Sequence, residues 1–250
     1  MKYCLQPDWP APQQVRACTT YRHQGTSLSP YDSWNLASHV GDDANRVAQN
    51  RVLLIERLAL TSEPVWLDQV HGNKIINLAQ HSKSGTPTAD GSYTSQPEKV
   101  CAVMTADCLP VLITNQTGTE VAAVHAGWRG LAGGVVQQAI DLFTCQREDI
   151  LVWLGPAIGP QAFEVGAEVR QVFVDQLATC DTAFKLISEK KYLADIYLIA
   201  RQLLGSINIT AVYGGDRCTY SESDSFFSYR RESQTGRMSS LIWIDPHKTS

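Results

Sequence analysis

Apolar and polar positions along the chain follow two spacings in turn, one suited to strands and one to helices. Val15-Arg-Ala-Cys-Thr-Thr20 reads as a strand and leads into a loop through Gly25, Pro30 and Asn35. Val47, Leu54 and Leu58 then fall on one helical face with Ile55 beside them, and Asp42 or Asp43 is placed to cap the helix start. Val65 to Val70 and Lys74 to Leu78 are short strand-like runs around His71-Gly72-Asn73, which predicts a tight hairpin with His71 at a strand end. A polar loop containing Thr86 to Gly91 precedes the run Val100 to Met104, and Cys108 to Ile113 follows through Thr105-Ala-Asp107. Pro110 has no N–H to give a ladder, so a bulge or strand end is expected there. Val121 to Val124 reads as a buried strand, and Leu131, Val135, Ala139 and Phe143 share one face of a helix whose first turn Gly133-Gly134 weakens. Ile150 to Leu154 predicts a strand and Gly155 to Pro160 a rigid loop. Helices are expected over Glu168 to Leu177 and Leu193 to Leu204, the latter stopped by Gly205, and strands over Ile207 to Tyr213 and Leu241 to Ile244.

This mixture lacks the strict strand–helix alternation of a doubly wound sheet. With no repeat, low-complexity tract or long linker, residues 1–250 are expected to form a single domain. Hydrophobic residues at 44% and charged residues at 18% allow a sizeable core and exclude wholesale disorder. A net charge of −4 removes the basic surplus that non-specific nucleic-acid or anionic-membrane binding needs, leaving a local pocket for a small anion open. The segment from Met1 to Asp8 has no apolar stretch like an export signal, and no run approaches the roughly 18 apolar residues of a membrane helix, so a cytoplasmic location is expected. The seven cysteines are odd in number and contain no C-x-x-C pair, which fits buried thiols better than a disulfide framework or zinc ribbon.

Three segments place a soft or borderline metal ligand at a predicted strand end: His71, Cys108 and His125. Zinc favours imidazole and thiolate, and three protein ligands leave a fourth position for water or substrate. The spacings match no zinc finger, so a buried thiol with two histidines satisfied by carbonyls is the competing reading. His23, His39, His81 and His247 lie in polar surroundings and read as surface residues. Gly127 and Gly130, with Arg129 between them, form either an anion cradle at a helix start or a plain connector. Phe226-Phe-Ser-Tyr-Arg-Arg231 and nearby Arg237 either line a pocket for an anionic or ring-bearing ligand or brace the fold through carboxylate pairs.

These motifs resemble the multicopper polyphenol oxidoreductase, or laccase-domain, family, whose members are described as purine nucleoside phosphorylases and in some bacteria as peptidoglycan editing factors. The resemblance spans nearly the whole chain. It rests on Asn35, on Asp43 to Asn50, on Asp68-Gln-Val-His71-Gly, Thr105-Ala-Asp-Cys108, His125-Ala-Gly-Trp-Arg129-Gly and Gly155 to Pro160, and on Phe226 to Arg231 with Gly236-Arg-Met238. It implies an α+β fold, a four-layer α/β/β/α sandwich with mixed sheets, and an active centre in which His71, Cys108 and His125 bind zinc, copper being the lesser alternative. Asn35, Arg46, Gln69, Arg129 and Arg230 stand in these motifs as candidates to hold substrate, with Arg129 or Arg46 for phosphate. Some members carry a cysteine after the segment matching Gly155 to Pro160. This chain has Gln161-Ala-Phe-Glu164 there, and no role carries over to it.

The implied activity is phosphorolysis of adenosine, inosine, guanosine or 5'-methylthioadenosine, with adenosine deamination as a second one. Its partners are small-molecule nucleosides and phosphate, with neither nucleic acid nor membrane. Known zinc deaminases use H-x-E and P-C-x-x-C elements that this chain lacks, so deamination would need another geometry. A Cys-His amide hydrolase editing a nucleotide-linked muramyl precursor is the rival from another class, with Cys108 as nucleophile. A non-catalytic nucleotide- or metal-binding module is the third. True multicopper oxidation needs roughly ten histidines for its two copper centres; the chain has six, leaving only weak copper-dependent phenol oxidation.

Overall fold

A computed structural model describes residues 3–81 and 85–248; the first two residues of the segment read for an export signal lie outside them. The central element is a six-stranded mixed sheet in the order β12-β8-β6-β7-β4-β3. Its strands are β3 (Ile75–Asn77), β4 (Gly91–Thr94), β6 (Leu109–Asn115), β7 (Val121–Ala126), β8 (Ile150–Leu154) and β12 (Val212–Gly214). Pairing is antiparallel in the middle and parallel at both edges, β12 with β8 and β3 with β4. A four-stranded antiparallel sheet, β1-β2-β13-β5, comprises β1 (Cys4–Leu5), β2 (Val15–Thr20), β5 (Val100–Thr105) and β13 (Met238–Ile244).

The period of two along the strands sorts side chains into layers. Leu112, Cys101, Val103, Ile242 and Ile244 fill the space between the sheets with Val121, Ala123 and Trp153. Their neighbours Val100, Ala102, Leu241 and Trp243 face the other way, onto Leu54 and Leu58 of helix α1 (Ala44–Leu58). Val111, Ile113, Val152 and Leu154 face α2 (Trp128–Ala132), α3 (Val135–Ile140) and α5 (Ile196–Gly205) across the other main core. The layers therefore run α/β/β/α in one α+β domain. Beside the helical layer, β9 (Glu164–Gly166), β10 (Phe184–Ser188) and β11 (Lys191–Ala194) form a small antiparallel sheet that α4 (Ala167–Gln176) covers with Val169 and Phe173.

Helix α1 forms where the pattern predicts it. The Asp43 side chain accepts from the Arg46 N–H, and Val47, Leu54 and Leu58 are buried. The helix expected after His125 is broken in two, because Gly134 takes a left-handed φ of 77° between α2 and α3, although Leu131, Val135, Ala139 and Phe143 are all buried. Helix α5 starts later than expected, after the Asp195 cap, since Lys191 to Ala194 pair as β11. Pro110 sits just beyond the ladder with β8, whose last residue Leu154 faces Val111.

The hairpin expected around His71 does not form. Val65 makes an isolated bridge to Cys101, Asp68 to Thr88, and β3 pairs in parallel with β4, so the two flanking runs have different partners. No helix among the described residues is long and apolar enough to cross a membrane. Four cysteines are buried and three partly exposed, and all seven are free thiols.

Candidate metal centre

Strand ends at one margin of the six-stranded sheet bring the site together. His125 is the penultimate residue of β7, and Cys108 immediately precedes β6, whose Leu109 faces Ala126. One step before β4, Asp90 lies opposite His125, whose N–H donates to the Asp90 carbonyl at 2.7 Å. The link from β5 to β6 through Ala106 and Asp107 crosses from one sheet to the other and carries Cys108 with it.

The ligand atoms of His71, Cys108 and His125 all lie within 4.8 Å of one another. Cys108 Sγ is 3.6 Å from His71 Nε2, and the two imidazole rings meet edge-on at 4.7 Å. Tetrahedral zinc with bonds of about 2.3 Å to sulfur and 2.0–2.1 Å to nitrogen holds those atoms about 3.5 Å apart, so the donor set fits a metal ion. His125 is buried, Cys108 half-buried and His71 exposed. That gradient leaves one side of the cluster open to a cleft of about 460 Å³ also bounded by His39, Gln69, Met104, Thr105, Tyr229 and Arg237.

Asp90 organises this centre, although it stands outside the motifs that carry the ligands. Its fully buried carboxylate accepts from His125 Nδ1 at 2.8 Å and from the backbone N–H groups of His71 at 2.9 Å, Gly72 at 2.7 Å and Val70 at 3.3 Å. One side chain thus turns His125 Nε2 toward the cluster and pins the loop that presents His71, the outer-shell arrangement common to metal-binding histidines. His71 needs the pinning, having a left-handed φ of 61° that costs a non-glycine residue on the order of 1–3 kcal/mol. Asp107, beside Cys108, has φ 92°, and its carboxylate is held by the Thr219 hydroxyl and the Arg230 N–H, both at 2.6 Å. A sequence signal existed: Thr-Ala-Asp recurs at 88–90 and 105–107, each time at the entrance to a site strand.

Charges are matched within the cluster. Burial opposes ionisation of Cys108, but the interactions with His125 and His71 outweigh it and bring the thiol down to about 6. Burial likewise disfavours charged His125, yet Asp90 and Cys108 raise its pKa to about 9. Asp90 is held below the ordinary carboxylate value, its hydrogen bonds from His125, Gly72 and His71 exceeding the opposing effect of burial. A thiolate–imidazolium pair oriented by a carboxylate results.

The remaining residues singled out in the sequence are dispersed. Gln69 lines the cleft, but its amide is clamped both ways to the Met104 backbone at 2.8 Å. Asn35 is fully buried, bonded to Ala37, Asp42 and the Arg237 N–H. Arg46 donates to the Thr26 carbonyl at 2.6 Å, and Arg129 stacks over Trp128. The glycines at 127 and 130 serve close packing: a Cβ on Gly127 would lie 2.8 Å from His71 Cδ2 and 3.1 Å from Cys108 Sγ, and one on Gly130 2.8 Å from the Gly72 carbonyl. Arg230 donates to the carbonyls of Ala162 and Glu164, and Arg231 to those of Thr219, Tyr220 and Phe226. Both brace the fold chiefly through carbonyls, while Tyr229 and Arg237 face the cleft. His39, read as a surface residue, is exposed but also lines it.

Known proteins share this fold over nearly the whole chain. The purine nucleoside phosphorylase YfiH of Escherichia coli (strain K12) is 52% identical over 244 residues, covering 98% of this chain and 100% of that protein. A Neisseria meningitidis crystal structure superposes with a TM-score of 0.93 at 46% identity, covering 97% of this chain and 99% of that one. YlmD from Geobacillus stearothermophilus gives 0.90 at 32% identity, covering 97% and 96%. The family described as multi-copper polyphenol oxidoreductase laccase matches residues 16–245, and the chain belongs to that family.

Proposed function

We propose that this chain is a zinc-dependent purine nucleoside phosphorylase whose active centre is the cleft floored by His71, Cys108 and His125. The observation that carries the reading is the convergence of these three donors on one open-sided cluster in a cleft of ligand size. Relatives named purine nucleoside phosphorylase supply the reaction class. Zinc held there supplies Lewis acidity toward a substrate oxygen or nitrogen.

In phosphorolysis a phosphate oxygen forms a bond to ribose C1' while the bond from C1' to the purine nitrogen breaks, and the purine leaves with the electron pair. The chain contributes mostly position and electrostatics. The Gln69–Met104 clamp fixes one wall, and the exposed Tyr229 ring offers a face on which a purine can stack. Adenosine, inosine, guanosine and methylthioadenosine are the proposed substrates, with adenosine deamination as a second activity. Chromatography of each reaction with and without phosphate tests this: ribose 1-phosphate and free base formed only with phosphate support it. Turnover indifferent to phosphate contradicts phosphorolysis, and hypoxanthine riboside from adenosine reports deamination.

One observation favours a second reading. In the metal-free protein the Cys108 thiolate, the His125 imidazolium and Asp90 match the nucleophile, proton donor and orienting carboxylate of a Cys-His hydrolase. That reading predicts amide cleavage of a muramyl-peptide precursor that survives chelation. Multicopper oxidation is disfavoured, because His71, Cys108 and His125 are the one cluster of three or more such ligands among the described residues.

The charge pair also sets the pH dependence of metal binding. Between about 6 and 9 Cys108 is already a thiolate and His125 must lose one proton to bind metal; below 6 two protons must leave. The proton that His125 gives up should therefore by itself raise zinc affinity about 100-fold from pH 6.5 to 8.5. Competition with a chromophoric chelator measures it, and a flat or falling trend contradicts the assigned pair.

A further inference from the structure

Arg237 is the one arginine facing the cleft among those its motifs contain. It is half-buried, and through Nη1 alone it donates to the carbonyls of Thr235 and Gly236 at 2.9 and 3.0 Å. It forms no salt bridge among the described residues. The anionic groups nearest it are the Cys108 thiolate and Asp107, and Asp107 has each carboxylate oxygen engaged, one by the Thr219 hydroxyl and the other by the Arg230 N–H. A guanidinium partly desolvated in a cleft with no carboxylate bonded to it leaves donors that an anionic ligand would satisfy.

Two further groups in the same cleft are suited to an anion. Thr105 is 1% exposed, lines the cleft, and its hydroxyl has no hydrogen-bond partner, a deficit a ligand oxygen would make good. His39 also borders the cleft, where partial burial and, after it, the charge of Arg237 lower the imidazole pKa. The other candidate arginines do not line the cleft: Arg46 is bonded to the Thr26 carbonyl, Arg230 to two carbonyls, and Arg129 lies over Trp128.

We propose that Arg237, with the Thr105 hydroxyl and His39, forms an oxyanion subsite in the cleft that takes inorganic phosphate. The phosphate role rests on the phosphorylase reading; the subsite itself does not. Nε and Nη2 of Arg237 are free to hold two phosphate oxygens as a fork, the hydroxyl of Thr105 can donate to a third, and His39, on the cleft lining, can supply a further N–H. Tyr229, whose ring centroid is 5.8 Å from the guanidinium carbon, helps fix the fork's plane.

Calorimetric titration of inorganic phosphate into the full-length protein without nucleoside, with ³¹P line broadening as a second readout, tests the subsite. Arg237→Gln should weaken phosphate binding about 10- to 100-fold, the worth of a charge-assisted hydrogen bond, and Arg237→Lys by less. Thr105→Val should also weaken it while thermal stability holds or rises, because the hydroxyl it removes is unpaired. In turnover, KM for phosphate should rise in each variant with KM for nucleoside unchanged. Unaltered phosphate affinity in folded Arg237→Gln and Thr105→Val, no phosphate binding by the wild type, or loss confined to Arg129→Gln overturns the proposal. Phosphate binding that depends on Arg237 in a protein that cleaves no nucleoside leaves the subsite standing and removes the phosphorylase reading.

Discussion

Cys108→Ala should yield a folded protein that keeps neither metal nor nucleoside cleavage. Sγ is the only anionic donor of the cluster, and without it two imidazoles remain, one of them exposed. Loss of an outer-shell partner of a metal site costs roughly 10- to 100-fold in affinity, so removal of a direct thiolate ligand should cost more than about 100-fold. Stability should change little, since the side chain is small, half-buried and tied by no backbone hydrogen bond. Metal content after dialysis, read by mass spectrometry beside the rate of ribose 1-phosphate formation, checks both halves. Stoichiometric metal with normal turnover in this variant would remove Cys108 from the centre.

The second large effect is expected at Asp90. Asn has the same shape, but its NH₂ must replace one carboxylate oxygen where all the partners are donors: His125 Nδ1 and the N–H groups of Val70, His71 and Gly72. Two donors then face each other in a fully buried site, and the imidazolium keeps only the Cys108 thiolate as counter-charge. Breaking a buried pair of this kind costs about 3–5 kcal/mol. Urea unfolding of Asp90→Asn should show a loss of that order, and zinc titration an affinity about 10- to 100-fold weaker, as for other outer-shell partners. Equal stability and affinity in the variant would mean that His71 and His125 are held by something other than Asp90.

The readable parts of this fold were those specified by neighbours in sequence. Val47, Leu54 and Leu58 announce α1 because their spacing and the Asp43 cap are local, and the runs at β5, β6, β7 and β8 are apolar enough to be buried on both faces. The hairpin around His71 failed because strand partners are chosen non-locally. Asp90, 19 residues on, ties the His71 N–H and turns the segment toward a parallel partner. The β10–β11 pair is hard to read because both strands are short, β10 is largely exposed, and neither carries much periodic signal.

For the site, residue types and strand ends suggested three ligands, and only the family resemblance favoured their meeting over a bland alternative. Asp90 lay in a loop that looked merely polar, and His39 in one that looked like plain surface. Arg237 stands close in sequence to Arg230 and Arg231, and nothing local distinguishes it from them. What separates them is which carbonyls the folded chain brings within reach, and that is a tertiary property.

Zinc-edge X-ray absorption on the zinc-loaded protein tests the centre most directly. One sulfur at about 2.3 Å and two imidazole nitrogens at about 2.0–2.1 Å, with the sulfur scatterer lost in Cys108→Ala, is the predicted result. A shell of oxygen and nitrogen alone, or a sulfur that persists in that variant, would contradict a metal ion held by His71, Cys108 and His125.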